Sequence, residues 1–229
     1  MASYINPQKK NPENTLLYIN GMNTTKEEAN HQLKQIVKHL PNIFSQCIYN
    51  PTNTNVNSNA SKQKIKEFSV DEGIQALIMA ATKAERVFLV TYSDGTSKGK
   101  KILQRMNSIF NENDPIRKKI SMLNFGPDIL IPNQQLKIAS IQNFIFNKDY
   151  ISMLALKIDP FEDNKDKSNQ NIIWLNGPKM IAQLPASKNP IEHFNRFLQC
   201  VQENAIKRYQ FKSYFPNLVQ AVAHKILLK

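Results

Sequence analysis

Two cysteines in a chain of 229 residues are too few for a disulfide framework. Cys47 falls in an apolar strand-like run and Cys200 on a helical face. Neither stands at metal-ligand spacing, so both are expected as packed thiols. Long apolar runs are missing as well, and none approaches the roughly 20 residues that cross a bilayer as a helix. Residues 1–14 lack the apolar core of a secretory signal. Acidic side chains are scarce, 18 against 30 Lys and Arg, which leaves a net charge of +12. Such a balance attracts phosphate, as nucleic acid or an anionic membrane surface. The lysines are spread along the chain rather than blocked together, as on the surface of any protein from a Lys- and Asn-rich proteome. No specific nucleic-acid interface is read from them.

What is present is an alternation of strand-like and helix-like runs, with 41% hydrophobic residues to build a core. The expected fold class is α/β, a mostly parallel central sheet with helices on both faces. Leu16 to Ile19 is a short apolar run entering a turn at Asn20-Gly21. Thr24 or Thr25 caps a helix from 26 to about 40, whose stripe is Ala29, Leu33, Ile36, Val37 and Leu40. A strand over 44–49 stops at Asn50-Pro51-Thr52, and the Asn- and Ser-rich stretch 53–61 reads as a mobile loop. A second helix, 71–84, buries Ile74, Leu77, Ile78 and Ala81. Residues 86–92 contain Val-Phe-Leu-Val, fit for a central parallel strand. Further strands are expected over 118–124, 138–146 and 172–175, and helices over 98–110, 193–209 and 215–228. Nothing divides the chain, so 1–15 reads as a flexible N-terminal segment and 16–229 as one domain.

The central feature is Val87-Phe88-Leu89-Val90-Thr91-Tyr92-Ser93-Asp94-Gly95, a strand that turns sharply into a helix. Such a turn holds a serine at its apex, above the carboxyl edge of the sheet, with backbone N–H groups aimed at incoming substrate. A small residue is needed two positions after the serine, and Gly95 supplies it. Two positions before the serine a glycine is usual, and Thr91 stands there instead. The plainer reading is a serine that caps the following helix.

A serine nucleophile needs an imidazole to take its proton and a carboxylate to orient that imidazole. Of the four histidines, only His193 falls in a loop, just before a helix. His31, His39 and His224 lie on helices. Asp149, just past a strand, is the favoured acid, with Asp128, Asp159, Asp163 and Glu192 as competitors. The oxyanion of an acyl-transfer intermediate would be bound by the backbone N–H of Asp94 and by a second N–H near Gly21 or Met22. The Asp94 carboxylate would oppose that oxyanion unless it faces solvent or a lysine, and Lys98, Lys100 and Lys101 are near in sequence.

Several short stretches follow one another in an order that resembles a known family. They are Tyr18-Ile19-Asn20-Gly21-Met22-Asn23-Thr24, Ile48-Tyr49-Asn50-Pro51-Thr52, Ser93-Asp94-Gly95, Phe125-Gly126-Pro127 with Ile131-Pro132, Asn147-Lys148-Asp149 and Glu192-His193-Phe194. Together they resemble α/β-hydrolase-like proteins of chlamydia-like and other intracellular bacteria, over residues 16–209. The resemblance implies an α/β-hydrolase fold, with Ser93 as nucleophile, Asp149 as acid and His193 as base. It implies an ester, thioester or lipid substrate, no cofactor and no metal. With no bilayer-length apolar run and no secretory signal core, the expectation is a soluble protein of a bacterial cytoplasm, or one delivered into a host cell without a classical signal.

Two other classes compete. Gly95-Thr96-Ser97-Lys98-Gly99-Lys100-Lys101 lies between strand and helix as a phosphate-binding loop does. Asp94 occupies the place of that motif's first glycine, however, and Lys101 that of its metal-binding hydroxyl. The second class is a catalytically degenerate scaffold that binds host protein or an anionic membrane. Residues 206–215 interleave aromatics with cations in a way that suits a membrane surface, although the plainer reading is the basic solvent face of a packed terminal helix.

Overall fold

The structure, a computed structural model, describes residues 13–40, 43–51, 68–132, 135–146, 171–175 and 211–227. Among them are six strands: β1 (Asn14–Ile19), β2 (Ile43–Cys47), β3 (Arg86–Tyr92), β4 (Ile120–Phe125), β5 (Ser140–Phe146) and β6 (Ile172–Leu175). They form one sheet in the order β2-β1-β3-β4-β5-β6, and every neighbouring pair is parallel. The helices are α1 (Lys26–Lys38), α2 (Val70–Lys83), α3 (Gly95–Asn107), the single turn α4 (Pro115–Lys118) and α5 (Phe211–Leu227).

Alternation along the strands separates two apolar layers. Leu17, Ile19, Val87, Leu89, Ile120 and Met122 face α2 and α3, where they meet Leu77, Ala81, Ile102 and Leu103. Leu16, Tyr18, Phe88, Val90, Leu123 and Phe125 face the other way, against Leu33 and Ile36 of α1 and Leu218 and Val222 of α5. Both faces of the central strands are therefore covered, and that is why their sequences are almost continuously apolar. Each such side chain, fully buried, contributes about 1.5–3 kcal/mol.

Thr25 caps α1 in a reciprocal box. Its hydroxyl accepts from the Glu28 N–H at 3.1 Å, and the Thr25 N–H donates to the Glu28 carboxylate at 2.8 Å. Ser69 caps α2 through the Glu72 N–H. At the far end of α2, the Lys119 ammonium donates to the carbonyls of Ala81 and Ala84. Lacking any exposed periodicity, α4 escapes a reading of apolar spacing, and it rests on Asp114 as cap with Pro115 behind it. Two helices begin earlier than their apolar pattern suggests, α3 at Gly95 and α5 at Phe211. The expected loop over 53–61, the expected helix over 193–209 and Cys200 lie outside the described residues. Cys47 is partly buried, and that burial pushes its thiol up to about 12. No described helix is long and apolar enough to cross a membrane.

From β1 the chain steps outward to β2, then returns past β1 to β3 and continues the other way. The direction reverses between β1 and β3. In an open α/β sheet the crevice at such a reversal, outside the carboxyl ends of the strands, is the natural ligand site.

Candidate active site

Tyr92 ends β3 and Gly95 starts α3, so the chain must reverse within two residues. It does so by placing Ser93 at φ 54°, in the left-handed region. A non-glycine residue there costs about 1–3 kcal/mol and persists only where its surroundings fix it. They do: the Ser93 N–H donates to the Phe125 carbonyl at 3.0 Å, extending the ladder to β4, and the Ser93 carbonyl accepts from the Thr96 N–H at 2.9 Å. Ser93 is buried. Asp94, which begins the helix, makes no side-chain capping bond to it.

Glycines let the neighbouring segments close on this turn. A Cβ on Gly95 would stand 2.7 Å from the Ile19 carbonyl oxygen and 2.8 Å from that of Asn20, so α3 starts directly against the end of β1. A Cβ on Gly21 would stand 2.8 Å from the Ser93 Cβ and 2.9 Å from a Tyr92 ring carbon. The loop after β1 thus rests on the serine itself. Met22, next in that loop, is exposed.

Thr91 has a physical account that its position in the sequence does not suggest. Its side chain faces α3, and room for it is made across the interface by Gly99, where a Cβ would stand 3.0 Å from the Thr91 methyl. Its hydroxyl lies 3.0 Å from that of Thr96 and donates to the Asn124 amide oxygen at 2.6 Å. A hydroxyl has one proton, so Thr96 is the donor in the first of these bonds. The Asn124 amide then donates to Asn143 at 2.8 Å, and the amides of Asn143 and Asn171 converge on the Ile131 carbonyl. Thr91, Asn124 and Asn143 are register partners on β3, β4 and β5, so a buried polar row underlies the carboxyl edge. Asn124→Leu should strand the groups on either side, at about 1–3 kcal/mol for each group left unpaired. Urea unfolding measures this directly, and an unchanged midpoint would show that the row adds no stability.

Charge collects beside the serine. The Asp94 carboxylate accepts from the Asn50 amide at 2.9 Å and the Ser97 hydroxyl at 3.3 Å, and lies 3.5 Å from the Lys98 ammonium. Its charge is therefore met by a lysine. Asp128, after β4, accepts from the Ser97 N–H at 3.2 Å, which ties it to the first turn of α3. Burial foremost, and then the Asp94 carboxylate, holds the Asp128 carboxyl above its ordinary value of 3.8. A raised carboxyl binds its proton more tightly in the folded protein than in the unfolded chain. Folding is therefore favoured most at low pH and loses stability as pH rises from about 4 through the raised value. Asp128→Asn should flatten that slope and raise the urea midpoint at neutral pH. A steeper loss of stability above pH about 4 in the variant would contradict the assignment.

Asn20 and Asn50, both fully buried, join the loops after β1 and β2. The Asn20 amide donates to the Asn50 carbonyl at 2.9 Å and to the Gly21 carbonyl at 3.0 Å, and its oxygen accepts from the Asn50 N–H at 2.8 Å. The Asn50 amide also reaches the Asn20 carbonyl at 3.3 Å. Apolar periodicity missed these residues. The available signal was an amide directly after each of two apolar runs.

Ser93, Asp94 and Gly21 thus meet at the reversal of the sheet, with Met22 next to Gly21 in the loop. Asp149 and His193, together with the competing acids Asp159, Asp163 and Glu192, lie outside the described residues. The remaining histidines, His31, His39 and His224, are exposed on α1, at its C-cap and on α5. Among the described residues, no group of His, Cys, Asp or Glu is placed to hold a metal ion. A groove of about 360 Å³ between α1 and β2, lined by Lys34, Lys38 and Ile43, opens near the start of β2, away from the crevice.

No protein-family model matches the chain, and no curated protein matches it. Solved structures similar to it include a lipase-esterase related protein from Clostridium acetobutylicum, at 15% identity and TM-score 0.30 over 52% of this chain and 43% of that one. The match therefore spans under half the length of that protein. Another is the catalytic core domain of acetyl xylan esterase from Trichoderma reesei, at 12% identity and TM-score 0.38 over 92% of this chain and 98% of that one. A third is esterase PE8, at 10% identity and TM-score 0.39 over 82% and 93% of the two chains.

Proposed function

We propose that this chain is a serine hydrolase of the α/β-hydrolase type, acting on an ester or thioester through Ser93, His193 and Asp149. The observation that carries the reading is the left-handed Ser93 in a two-residue turn between β3 and α3, at the reversal of the sheet. Strain of that kind is characteristic of functional sites, because it aims a side chain that a relaxed turn would not. The assignments of His193 and Asp149 rest on chain order, their loop positions and the resemblance of the surrounding residues.

In this mechanism the Ser93 hydroxyl attacks the substrate carbonyl carbon as His193 takes its proton. Asp149 orients the imidazole and stabilises its charged form. The carbonyl π electrons move onto oxygen, which is bound by the N–H of Asp94 and one near Gly21 or Met22. Collapse of the intermediate breaks the bond to the leaving alcohol or thiol, which takes the proton from His193. Water then attacks the acyl-serine by the same steps and frees the acid. Lys98 makes the Asp94 carboxylate compatible with a nearby oxyanion, since an opposite charge within about 4 Å offsets its field.

The direct test is labelling by a fluorophosphonate, which reacts with an activated serine. Labelling that disappears in Ser93→Ala is the expected result. No labelling, or labelling indifferent to Ser93, would favour a binding scaffold without turnover.

A further inference from the structure

We propose that Asn20, Asn50 and Asp94 are positioning residues that lock the oxyanion donors around Ser93. The inference deepens the hydrolase reading and rests on it. The β-ladder joins β1 to β3 only as far as Ile19 and Thr91, and β1 to β2 as far as Tyr18 and Cys47. Beyond those rungs, three side chains join the loop after β1 to the loops after β2 and β3. Asn20 holds the loops after β1 and β2 together through both ends of its amide. Asn50 then divides its amide hydrogens between the Asn20 carbonyl and the Asp94 carboxylate. The chain of bonds therefore runs from the residue before Gly21 to the residue after Ser93.

The Asn50 amide has one workable orientation. Turned over, its oxygen would face the Asp94 carboxylate and the Asn20 carbonyl, both acceptors. In the orientation adopted, its oxygen is buried and meets no hydrogen-bond partner among the described residues. A buried amide left half-satisfied calls for a reason. Holding the donor loop against the serine is one, because Gly21 has no slack there: its Cβ position already meets the Ser93 Cβ at 2.8 Å. Displacement of this loop by about an ångström would cost on the order of 100-fold in rate.

The test is p-nitrophenyl ester hydrolysis, with kcat and KM measured separately, alongside inhibition by a boronic acid. The boronic acid adds to an active serine as a tetrahedral adduct and so reports the oxyanion site. Asn50→Ala and Asp94→Ala should each lower kcat by about 100-fold and weaken boronic acid inhibition in parallel, with KM changed little. Asp94→Asn keeps an acceptor for Asn50 and should recover most of the loss in Asp94→Ala. If Asn50→Ala does not fold, the two Asp94 variants decide the question. Turnover that survives Ser93→Ala overturns the hydrolase reading, and the clamp's role with it. Ser93-dependent turnover that stays within about threefold of wild type in a folded Asn50→Ala, or in Asp94→Ala, overturns the clamp alone. So does a fall in kcat without weaker boronic acid inhibition.

Discussion

Ser93→Ala is expected to abolish nearly all turnover of p-nitrophenyl esters, a loss on the order of 10⁴-fold or more, because the members of a nucleophile–base pair act as a unit. Ser93→Gly should be equally inactive, yet more stable than wild type. Ser93 sits at φ 54°, where glycine carries no steric penalty. Relief of about 1–3 kcal/mol of strain should outweigh the roughly 0.5–1 kcal/mol that glycine's extra freedom costs in the unfolded chain. The two substitutions together separate function from fold. An inactive Ser93→Gly with a raised urea midpoint means that this turn holds strain for the sake of its hydroxyl. A less stable Ser93→Gly would make the serine a structural residue, with its hydroxyl supporting the turn. Residual hydrolysis unchanged in both variants would show that the activity does not belong to this crevice.

The second large effect is expected at Gly95. An added Cβ would lie 2.7 and 2.8 Å from two backbone carbonyl oxygens, those of Ile19 and Asn20. Neither is a flexible side chain that can swing away. To relieve the clash, α3 must shift from the end of β1, which drags the Ser93 turn with it. Gly95→Ala should cost about 3 kcal/mol, at the upper end of ordinary overpacking, and Gly95→Val more. In urea the midpoint should fall with little change in slope, since the same surface is exposed on unfolding. The crevice should suffer too, because the Asp94 N–H moves with the helix start. A Gly95→Ala protein with wild-type stability would mean that β1 and α3 do not approach this closely.

The four-residue run Val87-Phe88-Leu89-Val90 marks a strand buried on both faces, and β3 occupies the expected span Arg86–Tyr92. The α1 stripe was equally legible, with Ala29, Leu33 and Ile36 buried. Such signals are local: periodicity along one element reports which face avoids water. The start of α1 after Thr25 was legible too, but that of α3 was not. Gly95, Thr96 and Ser97 give no apolar pattern, and helix α3 includes them because Gly95 docks on β1 and Ser97 donates to Asp128. Both are contacts between distant parts of the chain.

At the crevice the same division holds. The order of residues established that a serine follows a central strand and precedes a glycine, because a sharp strand-to-helix turn demands those residue types in that order. It also determined that lysines stand near Asp94. Tertiary structure alone decided that Lys98 is the one within reach, that Gly99 offsets the bulk of Thr91, and that Asn20 and Asn50 bind three loops into one edge. The physical reason is that hydrogen bonds and close approaches join groups through space. The bond from Asn50 to Asp94 spans 44 residues of chain, and only the parallel sheet, by placing β1 between β2 and β3, brings its partners within 2.9 Å.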